Sequence, residues 1–269
     1  MPELPEMETY KQQLHTILAG KRIIDTDIQR EKSINVASDL FMKELNGAVI
    51  IKIDRRAKHL IFHLSTGKYL LLHLMLGGWM YVGTDQDAPK RTKQITFTFD
   101  NVKLYFIGLR LGYLHLHNKQ TLEEELADIG PEPLENNFNI DSFQELLEGR
   151  RGMLKTTLVN QHVIAGIGNC YSDEICYEAY LLPDRGLDEL SKEEKEKLYS
   201  AMVSVLTNAT QLGGYMENPL YKGDQLTGGY NDHCLVYDRE GMECNRCHSK
   251  IIKTEISSRK TFFCPGCQK

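Results

Sequence analysis

Cys244-Asn245-Arg246-Cys247 and, sixteen residues further on, Cys264-Pro265-Gly266-Cys267 are the stretch on which the reading of this chain turns. Two CxxC pairs present four thiolates at a spacing that suits one tetrahedral zinc ion. Between them, Ile251-Ile252-Lys253 and Thr261-Phe262-Phe263 read as the two strands of a hairpin, so the expected module is a zinc ribbon over residues 234–269. So small a module has almost no core and depends on its metal. Four thiolates leave no open position for a substrate water, so a single Zn2+ here is expected to be structural.

Working outward, the 269 residues are 41% hydrophobic, enough for two domains plus the metal module. No apolar run reaches the length of a membrane span, and the first residues lack the basic and apolar regions of a secretory signal, so the expected location is cytoplasmic. Cys170, Cys176 and Cys234 fit no disulfide framework and read as buried thiols in a reducing compartment. The net charge of -5 conceals an uneven distribution. Residues 120–148 hold nine acids and no Lys or Arg, and read as a solvated connector; residues 234–269 hold seven bases against four acids. Lys52, Arg55, Arg56 and Lys58 form a second basic cluster, and both clusters are candidate phosphate contacts.

The overall pattern is α+β and multidomain. Met7, Tyr10, Leu14, Ile17 and Leu18 share one face of a leading helix that stops at Gly20. From Ile23 to His117, short runs rich in Ile, Val, Leu, Tyr and Phe predict an antiparallel β-sandwich or barrel, giving an N-terminal domain over 1–130. Beyond Gly130-Pro131 the pattern turns helical, with segments near 140–148, 152–159, 168–180 and 191–212, the last opened by the capping box Ser191 to Glu194. Residues 131–233 are therefore expected to form a helical domain that ends in a mobile glycine-rich loop, 213–233.

Two further segments carry chemistry. In Met1-Pro2-Glu3-Leu4-Pro5-Glu6, removal of Met1 would expose Pro2 as a secondary amine, nucleophilic toward aldehyde-like carbons, with Glu3 and Glu6 beside it as acids. The plainer alternative is a leader into a helix. In Lys155 to Gln161 and Gly166-Ile167-Gly168-Asn169, two helices meet at a glycine turn. The second helix would point free N–H groups outward as a phosphate site, with Asn169 as an extra donor, unless the turn is only a packing device.

Together, the proline-glutamate leader, Lys58 within Arg55-Arg56-Ala57-Lys58, the Gly166 to Asn169 turn and the ribbon ending Thr261-Phe262-Phe263-Cys264 resemble the formamidopyrimidine-DNA glycosylase and endonuclease VIII family, in its formamidopyrimidine branch. The resemblance implies a β-sandwich, a helix-two-turn-helix domain and a zinc finger, acting as a monomer on double-stranded DNA that contains a damaged base or abasic site. It implies a glycosylase that is also an AP lyase. Pro2 would attack C1′ of a flipped nucleotide, Glu3 would assist ring opening and Glu6 would organise the site. Lys58, Asn169 and Arg259 would grip phosphates, with His73 and Lys155 in the same role, and Glu174 would match a further family position. A damage sensor with the same fold and little or no catalysis is the competing reading. A ribbon that binds RNA or protein in an unrelated enzyme is a more distant one.

This chain departs from the family pattern in two places. Where relatives insert a Met, an Arg and a Phe into the gap left by the flipped base, Leu76, Leu109 and Leu111 stand here, with Arg110 able to replace the arginine if the register slips by one. The loop Gly213 to Lys222 also lacks the Ser/Thr and Arg pattern that covers a flipped purine. Both departures imply a lesion preference other than 8-oxoguanine.

Overall fold

A computed structural model describes the whole chain, Met1–Lys269, which divides into two compact units: Met1–Asp128 with Met216–Gly229, and Ile129–Tyr215 with Tyr230–Lys269.

The first unit opens with α1 (Leu4–Leu18), which buries Met7, Tyr10, Leu14 and Leu18 at helical spacing. Eight strands follow: β1 (Asp25–Ile28), β2 (Ile50–Arg56), β3 (His59–Leu64), β4 (Tyr69–His73), β5 (Trp79–Gly83), β6 (Lys93–Thr98), β7 (Lys103–Ile107) and β8 (Tyr113–His117). They form two antiparallel four-stranded sheets, ordered β1-β6-β7-β5 and β2-β3-β4-β8. Phe62 of β3 meets Phe106 of β7 edge-on at 6.5 Å between ring centroids, so the inner faces of the two sheets share one core. The expected sandwich with a leading helix is therefore present. A short helix, α2 (Ser38–Leu45), interrupts the strand region and buries Phe41 and Leu45. At eight residues it is too brief to stand out against the β-type pattern around it.

The acidic stretch 120–148 is more than a solvated connector. It holds α3 (Lys119–Leu126) and α4 (Ile140–Leu147), whose first turns are capped by the side chains of Asn118 and Asn139. Glu123, Glu124 and Glu125 lie on the exposed face of α3, so their charges are solvated as expected, while Leu122 is buried.

The second unit continues with α5 (Leu154–Leu158), α6 (Asn169–Glu178) and α7 (Lys192–Gln211), packed around Phe143, Leu154, Tyr171, Ile175, Leu198, Met202 and Leu206. It ends in the hairpin β9 (Ile252–Ile256) and β10 (Arg259–Phe263). Ser257 and Ser258, at φ 48° and 61°, make the two-residue turn whose left-handed backbone matches the strand twist.

One boundary differs from expectation. Residues 216–229 pack with the first unit rather than closing the helical one. Leu220 is fully buried in the sandwich core, and its carbonyl accepts from Val82 N at 2.6 Å. Trp79 Nε1 donates to Pro219 O at 3.1 Å and Tyr10 to Asn218 O at 3.2 Å. The Asp224 carboxylate accepts from the backbone N–H groups of Leu220, Leu226 and Thr227 and from Gln13 Nε2. A glycine-rich composition suggested a mobile loop because none of these long-range anchors leaves a local pattern. Leu220→Ala should cost about 2–5 kcal/mol of stability in urea denaturation, as a core truncation does. A loss below about 0.5 kcal/mol, the size of a surface change, would show that the segment is not part of the core.

Candidate active site and metal centre

The chemistry-bearing residues of the first unit gather where α1 begins. Glu3 is the N-cap residue and Glu6 the third helical residue, and the two form a reciprocal capping box in which Glu3 N donates to Glu6 Oε2 at 2.7 Å. Pro5 sits in the first turn, where its missing N–H costs nothing. Pro2 and Glu3 are buried and Glu6 is wholly so. The helix thus fixes the two residues ahead of it, and its positive end favours the paired carboxylates.

Lys58 lies in the tight turn between β2 and β3, where Ala57 adopts φ 52°. Arg55 fastens that turn to α1: its Nε bonds Glu8 Oε2 at 2.9 Å and its NH1 donates to Ala57 O at 3.1 Å. Lys58 is buried, and its carbonyl lies 3.3 Å from His73 Nδ1. His73 stacks on His59 at 4.5 Å, and His59 Nε2 reaches Tyr113 Oη at 3.1 Å. Burial, with the neighbouring His73, pushes His59 down to about 3, and burial also lowers His73. His73 donates from Nδ1 to Lys58 O and so supports the lysine turn, and in the protein without DNA both rings favour the neutral form.

The loops after β4 and β7 press together backbone to backbone. A Cβ on Gly108, at φ 73°, would come within 1.9 Å of Gly77 O, and one on Gly112 within 2.3 Å of His73 O. Only glycine allows this approach. The joined loops expose Leu76 (74%), Leu111 (62%) and Arg110. Leu109, expected among the inserting side chains, is instead fully buried in the core, with its N–H bonded to Gln94 Oε1. A turn at residues 109–110 breaks the strand alternation after β7, so Leu109 joins Leu104 and Phe106 in the core while 110 and 111 stay outside.

In the second unit, Gln161 stitches the turn between α5 and α6: its Nε2 donates to Val159 O and Ile167 O, and its Oε1 accepts from Gly166 N. Gly166 takes φ 84°, and Gly168 is an N-cap without a side chain, so no side chain of its own covers the first N–H groups of α6. Asn169, half-buried, is the first helical residue. Arg259 is exposed at the β9–β10 turn, next to the α5–α6 turn residues Asn160, Gln161 and His162 in a shared surface concavity.

Lys155 does not face solvent. It is fully buried and donates to Asp173 Oδ1 at 2.6 Å and to Asn169 O at 2.9 Å, so its charge is spent inside the protein and not on a phosphate. Asp173 Oδ2 in turn accepts from Phe262 N of β10 at 2.9 Å. Burial drives the Asp173 carboxyl upward and the adjacent ammonium opposes it. Its neighbour Glu174 accepts from three consecutive backbone N–H groups, those of Leu235, Val236 and Tyr237, at 2.8–2.9 Å. Burial raises the Glu174 carboxyl and these three donors counter it. Neither acid had a sequence signal for this role, because their donors are a distant lysine and main-chain groups.

Cys244, Cys247, Cys264 and Cys267 bring their Sγ atoms within 4.8 Å of one another. Cys244 Sγ lies 3.8 Å from Cys267 Sγ and Cys247 Sγ lies 3.3 Å from Cys264 Sγ. A tetrahedral ion with sulfur at about 2.3 Å would set such separations near 3.8 Å, so the thiol cage fits a zinc-sized metal. Cys170, Cys176 and Cys234 are buried and unbridged.

Comparison with known proteins assigns this architecture to a class of DNA glycosylases. Residues 1–114 match the family model of the formamidopyrimidine-DNA glycosylase N-terminal domain, and residues 129–218 that of its H2TH domain. The chain is 33% identical to the formamidopyrimidine-DNA glycosylase of Streptococcus pneumoniae serotype 4 across 100% of this chain and 99% of that protein. It is 34% identical to that of Listeria innocua across the full length of both. Its structure is similar to a Lactococcus lactis FPG mutant in complex with a Fapy-dG containing DNA (TM-score 0.92, 32% identity, 100% of both chains). It is also similar to the Lactococcus lactis Fpg in complex with an abasic site containing DNA (TM-score 0.92, 31% identity, 99% of both chains). The chain therefore belongs to the formamidopyrimidine-DNA glycosylase family. No helix is long and apolar enough to cross a membrane.

The buried ion pair gives a direct check on the second unit. Lys155→Met leaves the Asp173 carboxyl buried without its counter-ion, and should destabilise the protein by about 3–5 kcal/mol in chemical denaturation. A loss of under about 1 kcal/mol, typical of an exposed pair, would return Lys155 to the surface.

Proposed function

We propose that this chain is a bifunctional DNA glycosylase and AP lyase of base excision repair, working through a Schiff base on Pro2. The observation that carries this reading is the start of α1, where a capping box holds Pro2 and Glu3 in fixed places beside the buried Glu6. With Met1 removed, the Pro2 amine attacks C1′ of a nucleotide swung out of the duplex, and the glycosidic bond breaks as the iminium forms. Glu3 serves as the acid that helps the sugar ring open, and Glu6 acts one step back by holding the Glu3 backbone. The iminium then acidifies the adjacent sugar carbon, so the flanking phosphate can leave and the strand is nicked.

Lys58, Asn169 and Arg259 are assigned to phosphates. The α6 N-terminus suits that role because its positive end favours an anion and Asn169 stands in its first turn. His73 positions the Lys58 turn. Leu76 and Leu111 fill the space of the extruded base, and Arg110, exposed between the same two loops, reads the unpaired base opposite. Zn2+ is assigned to the four cysteines as a structural ion, and the working form is a cytoplasmic monomer on double-stranded DNA.

The damage repaired is inferred to differ from 8-oxoguanine, because the loop Gly213 to Lys222 lacks the Ser/Thr and Arg pattern that covers a flipped purine and residues 216–229 are tied into the sandwich core. An oxidised pyrimidine, a bulky adduct or an abasic site fits this surface better. Strand-nicking rates on duplexes carrying 8-oxoguanine, a formamidopyrimidine, thymine glycol or an abasic site test both parts. A form of the protein that retains Met1, so that the Pro2 nitrogen is an unreactive amide, should nick about a thousandfold more slowly or worse while duplex binding persists, as loss of a nucleophile does. Unchanged nicking by that form would refute the Schiff-base route on Pro2, and binding without nicking by the chain that lacks Met1 would favour the damage sensor. A clear preference for 8-oxoguanine opposite cytosine would overturn the lesion assignment.

A further inference from the structure

The C-terminal end of α6 is built into the metal centre. Tyr177, fully buried, places its hydroxyl 3.2 Å from Cys244 Sγ. The guanidinium of Arg246, inside the first CxxC pair, lies 4.0 Å from the centroids of both the Tyr177 and Tyr180 rings. Arg246 also donates to Tyr177 O and to the Glu178 carboxylate. The second CxxC pair is held close by: Gln268 Nε2 donates to Leu181 O while its Oε1 accepts from Cys264 N.

We infer that Tyr177 is a positioning residue for the metal, its hydroxyl donating a hydrogen bond to the Cys244 thiolate and fixing that ligand against α6. A metal-bound thiolate carries no proton and can only accept, so the phenol must be the donor across this contact. Such a bond withdraws charge from sulfur, orients its lone pairs and lowers the cost of burying an anionic thiolate. Cys244 also accepts from Arg246 N at 3.4 Å, but that donor belongs to the ribbon itself. Tyr177 is the contact through which a helix of the neighbouring layer reaches a ligand atom. Metal retention is thereby coupled to α6, the helix that carries Asn169 at its other end.

The test uses the full-length protein loaded with zinc or, for spectroscopy, with cobalt(II). Tyr177→Phe deletes one oxygen and keeps the ring under Arg246. It should weaken zinc affinity by about 10–100-fold, the range seen when an outer-shell partner of a metal ligand is lost, read by competition with a chromogenic chelator. In the cobalt form, the sulfur-to-metal charge-transfer band should move to lower energy, because a thiolate stripped of a hydrogen bond gives up an electron more easily. Arg246→Met loosens the clasp but keeps the hydroxyl, so it should speed zinc release without moving the band. In the unaltered protein loaded with an NMR-active cadmium isotope, scalar coupling between the metal and the Tyr177 hydroxyl proton reads the same bond without any variant. An unmoved cobalt band in Tyr177→Phe, with or without faster release, or the absence of that coupling, would overturn the assignment.

Discussion

The Asp173 carboxylate is the contact on which the second unit depends. One oxygen holds the Lys155 ammonium of α5 and the other holds the Phe262 N–H of β10, so a single buried group joins the helix pair to the ribbon. Isolated, either charge would be costly at zero exposure; paired and hydrogen-bonded on both sides, they tolerate burial and fix geometry. Lys155 also donates to Asn169 O, which ties the same network to the first residue of α6. Asn169, the proposed phosphate contact, thus rests on polar groups that never meet solvent.

A comparable logic governs the start of the chain. A segment that precedes a first helix would ordinarily fray. Here the capping box anchors Glu3 and Glu6 to each other, and Tyr10, Leu14 and Leu18 commit the rest of α1 to the sandwich core. Arg55 then links the helix to the turn that bears Lys58. Pro2, Glu3 and Lys58 are thereby attached to rigid elements, as the proposed attack at a fixed carbon requires.

Much of this was legible in the sequence, and the misses have identifiable causes. The CxxC spacing announced the four-thiolate cage, short runs rich in Ile, Val, Leu, Tyr and Phe announced the sheets, and Ser191 to Glu194 marked the start of α7, because each signal is local. Lys155 was misread as a phosphate contact because a lysine beside a glycine turn looks the same whether its partner is solvent or an aspartate eighteen positions on. Leu109 was misread because one step of register in a loop decides between core and surface. The segment 216–229 looked free because its anchors, Trp79, Val82 and Tyr10, lie far away in sequence. The short helix α2 escaped notice because it interrupts a β-type pattern, and α3 because its run of acids reads as a solvated connector.

The central claim is that the Pro2 nitrogen forms the covalent bond to DNA, and the most direct measurement is where that bond lies. Borohydride reduction of the protein mixed with an abasic-site duplex, followed by nuclease and protease digestion and tandem mass spectrometry, locates it. The expected result is a reduced sugar adduct on the nitrogen of Pro2, in chains that lack Met1. An adduct on Lys58 or another lysine, or no adduct from a protein that nicks the strand, would contradict it.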